Sequence, residues 1–307
     1  MTAPRAAALR VASLRAQALP ALAQAADYAE LTKPRITLLV LVTTLVGFLL
    51  ASGGDLDLAR LAHAVLATGL VAGGASAMNQ VLERDADARM HRTRHRPLPA
   101  GRLRPADALA FGVDIAALGI VWLYVAVNRA SALVALLTLV SYVLAYTPLK
   151  RRTPWCTVAG AVPGALPPVI GWVAATGQLA AGAAALFAIL FFWQLPHFYA
   201  IGWLYRDDYR RAGFPIVPVV DRDGRATAGH ILAASAGLAA AGLAPAVIGM
   251  AGTAYAAGAA AFGLLFLGLG IAFARSRAEA DARRLFVASL VALPAILALL
   301  VIDRAPR

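Results

Sequence analysis

The chain has 307 residues, of which 61% are hydrophobic and 14% are charged, and its formal net charge is +12. A soluble domain carries about 25% charged residues, so this composition excludes an ordinary water-soluble protein and indicates a membrane protein. The single cysteine, Cys156, excludes an intrachain disulfide bond and a zinc site built from several cysteines.

Long apolar blocks alternate with short polar stretches along the sequence. Each block has about 17–25 residues, enough for an α-helix to cross a bilayer core of roughly 30 Å. The blocks lack the alternating pattern of membrane β-strands. We therefore predict an all-α bundle of about nine transmembrane helices that forms one domain over residues 1–307, with residues 1–30 as an N-terminal cytoplasmic segment. The predicted spans are 36–53, 59–82, 105–126, 130–147, 157–176, 181–203, 227–249, 251–274 and 284–302.

The basic residues lie mostly on one side of the predicted bundle. With the N-terminus inside, the inside segments hold 24 of the 28 Lys and Arg residues, and the outside segments hold Arg60, Arg129, Arg304 and Arg307. Because basic residues accumulate in cytoplasmic loops, this split predicts an N-in, C-out topology with the active site toward the cytoplasmic face. The charge therefore reflects orientation, and we expect no nucleic-acid partner. No compact apolar core with a cleavage site precedes the first span, so we expect no signal peptide.

A polar stripe follows the second predicted span. Asn79, Glu83 and Asp87 are spaced four residues apart, so on a helix they share one face. Two carboxylates on one stripe repel each other unless a cation lies between them. Oxygen ligands suit Mg²⁺, which one or two carboxylates commonly hold together with substrate phosphates. The stripe thus predicts a magnesium site, with solvated acids paired to Arg84 or Arg89 as the alternative.

An arginine-rich loop comes directly after this stripe and includes Arg92 and Arg96. Guanidinium groups match the oxygens of phosphates or carboxylates in two-point contacts. Orientation alone would also place a basic loop here. Beside the acidic stripe, however, the loop predicts a diphosphate site with Mg²⁺ on one side and guanidinium groups on the other.

Tyr146 lies at the end of the fourth predicted span, 130–147, and Lys150 and Arg151 follow closely. The two basic side chains can add positive charge to the same anion site. Taken alone, a basic cluster after a span is equally well explained as a membrane anchor.

The sixth predicted span contains Gln194 and His197 within its apolar stretch, roughly two turns from its polar end. Polar side chains at such depth are functional candidates. His197 has three possible roles: binding iron, binding a substrate or bridging two helices. The loop that follows carries a second group of acids, which predicts either a second metal site or a solvated loop. These acids are Asp207, Asp208, Asp221 and Asp223.

Taken in order, these motifs resemble the UbiA-type intramembrane prenyltransferases, and within them the branch that farnesylates haem. The motifs are Thr32-Lys33-Pro34-Arg35, Asn79-x3-Glu83-x3-Asp87, Met90-x-Arg92-Thr93-x2-Arg96-Pro97-Leu98, Tyr146-x3-Lys150-Arg151, Trp193-Gln194-x-Pro196-His197-Phe198 and Asp208-Tyr209. The glutamate in the middle of the second motif is similar to the haem-farnesylating form. The chain departs from many members of the superfamily after the sixth span, where Ala212 replaces the second acid of an Asp-x3-Asp motif.

The resemblance implies farnesyl diphosphate and haem b as substrates, haem O and diphosphate as products, and Mg²⁺ as cofactor. It implies a multi-pass protein of the bacterial cytoplasmic membrane, with haem A synthase or oxidase assembly factors as possible partners. The implied metal ligands are Asn79, Glu83, Asp87 and Asp208. The residues implied to stabilise the leaving diphosphate are Arg92, Arg96, Lys150 and Arg151. Tyr146 is implied beside the allylic cation, and Gln194 and His197 beside the haem.

Two other functions fit parts of the pattern. A prenyltransferase of the same fold acting on a quinone precursor or another aromatic acceptor is disfavoured by Glu83 and by the incomplete second acidic motif. An anion transporter is disfavoured because transporters bind at the bilayer midplane between broken helices, whereas the polar residues here cluster at one membrane face.

Overall fold

The computed structural model describes residues 22–305. Within this range nine helices are long and apolar enough to cross a membrane, which confirms the predicted all-α membrane bundle. They are α1 (Pro34–Ala51), α2 (Leu58–Asp87), α3 (Pro105–Ala126), α4 (Arg129–Leu149), α5 (Cys156–Thr176), α6 (Ala181–Leu204), α7 (Arg225–Val247), α8 (Thr253–Ser276) and α9 (Glu279–Ile302). Of the predicted N-terminal segment, residues 1–21 lie outside the described range and residues 22–31 are helical.

Most helix ends lie within about two residues of the predicted spans, but two differ by five residues. The helix α2 continues to Asp87 instead of ending at residue 82, and α9 begins at Glu279 instead of residue 284. Hydropathy marks where apolar side chains stop, whereas backbone hydrogen bonds decide where a helix stops. The longer α2 keeps the whole polar stripe on helical backbone, as its spacing requires.

Small residues allow the helices to pack closely. A Cβ atom built on Gly171 of α5 would lie 1.9 Å from the carbonyl oxygen of Thr44 in α1. One built on Gly74 of α2 would lie 2.4 Å from the carbonyl oxygen of Gly112 in α3. Because lipid offers no hydrophobic driving force between helices, close backbone approach of this kind is a main source of packing energy in membranes.

Two of the long helices are irregular. The helix α4 contains a π-helical segment, Ser141–Tyr146, in which the N–H of Thr147 bonds to the carbonyl oxygen of Tyr142. The helix α5 consists of two parts, Cys156–Ala165 and Pro167–Thr176. Proline lacks an amide hydrogen and interrupts the regular ladder, which explains the break before Pro167. Segments of π-helix are frequent at functional sites.

The polar segments gather at the end of the bundle where α2, α4 and α6 terminate. This end, here called the polar face, comprises residues 22–33, 88–104, 150–155 and 205–224. Two short helices, Arg206–Ala212 and Val217–Val220, lie in its last loop. Arg102 joins the first two segments, since its guanidinium lies 2.8 Å from Asp27 and 3.0 Å from Glu30.

Candidate active site

The acidic stripe at the end of α2 is buried. Asn79 is 2% exposed, and Glu83 and Asp87 are each 3% exposed. The three side chains follow one another along one helix face, as their spacing predicts. A buried carboxylate is costly unless a cation or hydrogen-bond donors compensate it, so the stripe must have partners.

Each member of the stripe meets a basic side chain from a different segment of the polar face. Lys33 Nζ donates to Asn79 Oδ1 at 2.8 Å. Lys150 Nζ lies 3.0 Å from Glu83 Oε2, and Arg96 Nη1 lies 2.8 Å from Asp87 Oδ2. We call the six residues of these three pairs the stripe cluster: Lys33–Asn79, Lys150–Glu83 and Arg96–Asp87.

The amide of Asn79 is oriented by a second contact. Its Nδ2 donates to Thr147 Oγ1 at 3.2 Å, and the Thr147 hydroxyl donates to the carbonyl oxygen of Tyr142 at 2.9 Å. The π-helical segment of α4 therefore holds Oδ1 of Asn79 toward Lys33. Thus an oxygen ligand at this position is fixed by two neighbouring elements.

Glu83 carries an unsatisfied buried oxygen. Its Oε1 has no hydrogen-bond partner in the described part of the chain, although Oε2 pairs with Lys150. Within residues 22–305 no three His, Cys, Asp or Glu side chains are grouped to hold a metal ion by themselves. The stripe instead offers two carboxylates and an amide oxygen, which fits Mg²⁺ when substrate phosphates complete the coordination.

The lysines of the stripe cluster lie outside the membrane-spanning helices but are deeply enclosed. Burial, assisted by the charge of Arg96, lowers the pKa of Lys33 to about 8. Burial also acts to lower the pKa of Lys150, but its contacts with Tyr146 and Glu83 outweigh this effect and raise the pKa above its ordinary value. Both lysine side chains are therefore charged at neutral pH. Their positive charges are already in place when an anion binds.

Lys33 was not among the site residues predicted from the sequence. It has a left-handed backbone conformation with φ 49°, which residues bearing a side chain rarely adopt. Strained backbone of this kind often accompanies functional sites. The sequence feature that could have pointed to Lys33 is its position directly before Pro34, because proline restricts the conformation of the residue before it.

The other predicted basic residues are more exposed. Arg92 Nη2 lies 3.5 Å from the Tyr209 hydroxyl, and its guanidinium stands over the ring of Tyr205 at 5.6 Å. Arg151 donates to the carbonyl oxygen of Leu82 at 3.3 Å. Arg151 therefore lies next to the stripe, whereas Arg92 lies against the last loop, and both side chains are exposed to solvent.

Asp208 is buried against the arginine-rich loop. Its carboxylate accepts from Arg211 and from the backbone N–H groups of His91 and Arg92. Burial acts to raise the pKa of Asp208, but these hydrogen bonds outweigh burial, so the pKa lies below its ordinary value. Asp208 is thus an ionised group that fixes the turn carrying Arg92.

The remaining acids of the last loop are paired locally. Asp221 accepts from the backbone and hydroxyl of Thr227, both at 2.7 Å, and so caps the start of α7. Asp207 pairs with Arg210, and Asp223 with Arg225. The structure does not bring these three acids to the stripe cluster.

Tyr146 lies beside the stripe cluster at the end of the π-helical segment. Its ring centroid is 5.7 Å from Lys150 Nζ. The ring also packs against α5, where a Cβ atom on Gly160 would lie 2.5 Å from the ring. Only glycine at position 160 leaves room for this ring.

Gln194 and His197 contact other helices and do not join the stripe cluster. Gln194 Nε2 donates to the carbonyl oxygens of Ala161 and Leu190 at 2.9 and 3.1 Å. His197 Nδ1 lies 2.6 Å from Ser289 Oγ in α9. The site therefore has two parts, a charged stripe cluster and a less polar region along α6.

Comparisons with known proteins agree with this architecture. The sequence model of the UbiA prenyltransferase family matches residues 40–293 of the chain. A protein named protoheme IX farnesyltransferase from Solibacter usitatus is 48% identical over 287 residues, which cover 91% of this chain and 98% of that protein. A protein of the same name from Myxococcus xanthus is 43% identical and covers 95% of this chain and 99% of that protein.

Solved structures share the fold at low sequence identity. A structure described as digeranylgeranylglyceryl phosphate synthase aligns with a TM-score of 0.77 at 15% identity, covering 91% of this chain and 98% of that chain. A UbiA homolog from Archaeoglobus fulgidus, bound to GPP and Mg²⁺, aligns with a TM-score of 0.63 at 16% identity, covering 89% of this chain and 99% of that chain.

Proposed function

The chain belongs to the UbiA prenyltransferase family, and from this premise we propose that it transfers a farnesyl group from farnesyl diphosphate to haem b. The bond between farnesyl and diphosphate breaks, and the farnesyl carbon bonds to a vinyl group of haem b. Water supplies a hydroxyl group and loses a proton, so that the products are haem O and diphosphate. The observation that carries this proposal is the match to proteins named protoheme IX farnesyltransferase at 48% identity along 91% of the chain.

Asn79, Glu83 and Asp87 are the proposed ligands of Mg²⁺. When bound there, the ion neutralises negative charge on the diphosphate leaving group. The buried and unpaired Oε1 of Glu83 supports this assignment, since a buried carboxylate oxygen calls for a partner. The structure of the Archaeoglobus fulgidus homolog with GPP and Mg²⁺ is consistent with it.

The basic members of the stripe cluster are the proposed diphosphate contacts. Lys33, Lys150 and Arg96 already lie against the stripe in pairs of 2.8, 3.0 and 2.8 Å. Binding of a diphosphate with its cation lets these groups move from the stripe to the phosphate oxygens without leaving the site. Preorganised charges in a water-poor site stabilise a leaving anion more strongly than they would in water.

Two residues outside the stripe extend this anion site. We assign Arg92 and Arg151 to the rim, where their exposed guanidinium groups steer and hold the diphosphate. Asp208 contributes from the last loop, and its bonds to the 91–92 backbone support Arg92.

Tyr146 is the proposed neighbour of the reacting carbon. An aromatic ring face attracts a cation, and the ring lies beside the lysine that would contact the diphosphate. The farnesyl tail extends from there between apolar helices, which shields an allylic cation from water.

The proposed setting is the bacterial cytoplasmic membrane, with the stripe cluster at its cytoplasmic face. Haem A synthase or oxidase assembly factors are the proposed partners that would receive the farnesylated haem. Both follow from the proposed reaction and from the nine membrane-spanning helices of the described range.

The test is a transfer assay with defined acceptors. Purified protein is incubated in detergent with farnesyl diphosphate, Mg²⁺ and either haem b or a quinone precursor such as 4-hydroxybenzoate, with EDTA as control. The proposal expects haem O by mass only in the haem sample with Mg²⁺. A prenylated benzoate in place of haem O would overturn the acceptor assignment.

A further inference from the structure

His197 of α6 is held in one orientation by α9. Its Nδ1 lies 2.6 Å from Ser289 Oγ, and Ser289 Oγ lies 2.5 Å from the carbonyl oxygen of Phe286. The imidazole ring is also stacked on Trp193, with centroids 5.3 Å apart, and contacts the Phe286 ring at 5.1 Å. Ring position and ring rotation are therefore both fixed.

These contacts determine which nitrogen of His197 carries the proton. A carbonyl oxygen can only accept, so the Ser289 hydroxyl must donate its single proton to Phe286. The same oxygen must then accept from His197, whose Nδ1 is consequently protonated. In the neutral ring the lone pair is left on Nε2.

Nε2 of His197 has no polar partner among the described residues, and the side chain is only half-buried. Bridging the two helices does not require His197, because Trp193 Nε1 already donates to the carbonyl oxygen of Ser289 at 2.9 Å. A neutral imidazole with one N–H bonded and the other nitrogen open is the usual form of a metal-ligating histidine.

The depth of His197 in the bilayer also fits the role of a metal ligand near the polar face. The helices α2 and α6 both end at the polar face, and Glu83 precedes the end of α2 by four residues. His197 precedes the end of α6 by seven residues, which places it about 10 Å from that end. Both residues thus lie near the same face, with His197 at the more apolar depth.

We propose that Nε2 of His197 is an axial ligand of the iron of the haem acceptor, and that Ser289 is a positioning residue that fixes the ring for this contact. The proposal rests on the proposed function, because it assumes haem as the acceptor. Coordination would hold the porphyrin ring beside α6 and α9, and leave its vinyl groups free to meet the farnesyl carbon. Gln194, three residues before His197, belongs to the same side of the bundle.

The test measures haem coordination and not turnover. Purified full-length protein is titrated with haem b, and the absorbance and electron paramagnetic resonance spectra are recorded for wild type, His197→Ala and Ser289→Ala. His230→Ala is the matched control, since His230 is a half-buried histidine of α7 near the polar face, and its Nδ1 bonds to the carbonyl oxygen of Ala226 at 2.7 Å. Iron-free protoporphyrin IX serves as a probe of ring binding without coordination.

The wild type and His230→Ala should show imidazole-ligated iron, and His197→Ala should lose that signature. Ser289→Ala should weaken haem binding by about 10- to 100-fold, as loss of a partner behind a ligand does, and protoporphyrin affinity should change little in either variant. In His197→Gly, added imidazole should restore the ligated spectrum.

An unchanged haem spectrum in folded His197→Ala would overturn the proposal, as would a wild type without imidazole-ligated iron. Haem O formation is measured on the same wild-type sample, which separates this failure from failure of the proposed function. Haem O made without His197 ligation refutes the ligand assignment alone. Ligation without any haem O refutes the transfer reaction and leaves the ligand assignment standing.

Discussion

The two carboxylate oxygens of Glu83 have different surroundings. One oxygen is neutralised by Lys150 at 3.0 Å, and the other is buried with no partner in the described chain. Leaving a buried acceptor unsatisfied costs about 1–3 kcal/mol, so such a position is retained where a ligand will satisfy it. Asp87 and Asn79 extend the same row along α2.

Replacing Glu83 by Gln should lower farnesyl transfer by at least about 100-fold, since the leaving group loses charge stabilisation. The substitution keeps the size of the side chain and one oxygen that can accept from Lys150, so the protein should remain folded. Steady-state assay of haem O formation measures the effect. Asp85→Asn is the matched control, because the Asp85 side chain is exposed and pairs with Arg84, outside the stripe cluster. Equal loss in both variants, or none in Glu83→Gln, would contradict the assignment.

Lys33→Met should weaken binding of farnesyl diphosphate by about 10-fold or more, since a hydrogen bond to a charged group contributes roughly 1.5–3 kcal/mol. Removing the ammonium group also leaves Oδ1 of Asn79 without its donor. The measurement is the KM for farnesyl diphosphate, and Lys33→Arg should recover part of the affinity. Arg104→Ala, on the exposed surface, should behave as wild type. An unaltered KM in Lys33→Met would count against Lys33.

For individual residues, the sequence predicts the features that depend on local helix geometry. The shared face of Asn79, Glu83 and Asp87 follows from helix periodicity and agrees with their common burial. The pairing of Lys33 with Asn79 joins residues 46 positions apart and depends on how α1 meets α2. No spacing rule contains that contact. The roles of these residues as ligands stay predictions.

The junction of α4 and α5 positions the aromatic ring of the site. The π-helical segment ends at Tyr146, and Gly160 of α5 leaves the space into which that ring fits. Hydropathy predicted both helices as plain spans. It could not predict the π-helical segment or the break before Pro167, because these depend on individual backbone hydrogen bonds.

Gly160→Ala should displace the Tyr146 ring, since the new Cβ would lie 2.5 Å from it. A shift of about 1 Å near the reacting atoms can reduce the rate on the order of 100-fold. We expect a large fall in kcat with the protein still folded, as judged by its thermal unfolding. Gly229→Ala is the matched control, because no atom lies within 4 Å of its Cβ position. Similar kcat values in the two variants would show that the ring position is not critical.

The whole molecule is organised by the membrane. The nine spans predicted from hydropathy were confirmed within residues 22–305, because apolar length is a strong signal in a bilayer. The positive-inside distribution predicts which side is cytoplasmic. Orientation is a property of the protein in its membrane, so the fold alone does not decide it.

Topology can be tested with single cysteines. Cys156 is 1% exposed, so the parent protein should react little with thiol reagents. In spheroplasts a membrane-impermeant maleimide should label Gln178→Cys, which lies in the α5–α6 loop, and should label Arg94→Cys only after permeabilisation. Labelling of Arg94→Cys in sealed spheroplasts would reverse the predicted N-in topology.

The central claim is that the stripe cluster binds farnesyl diphosphate through Mg²⁺. Calorimetric titration of wild type and Glu83→Gln with an unreactive farnesyl diphosphate analogue tests it most directly, once with Mg²⁺ and once with EDTA. The wild type should bind the analogue with Mg²⁺ and lose most of its affinity in EDTA, whereas Glu83→Gln should bind weakly in both. Equal affinity for both proteins in both conditions would contradict the account.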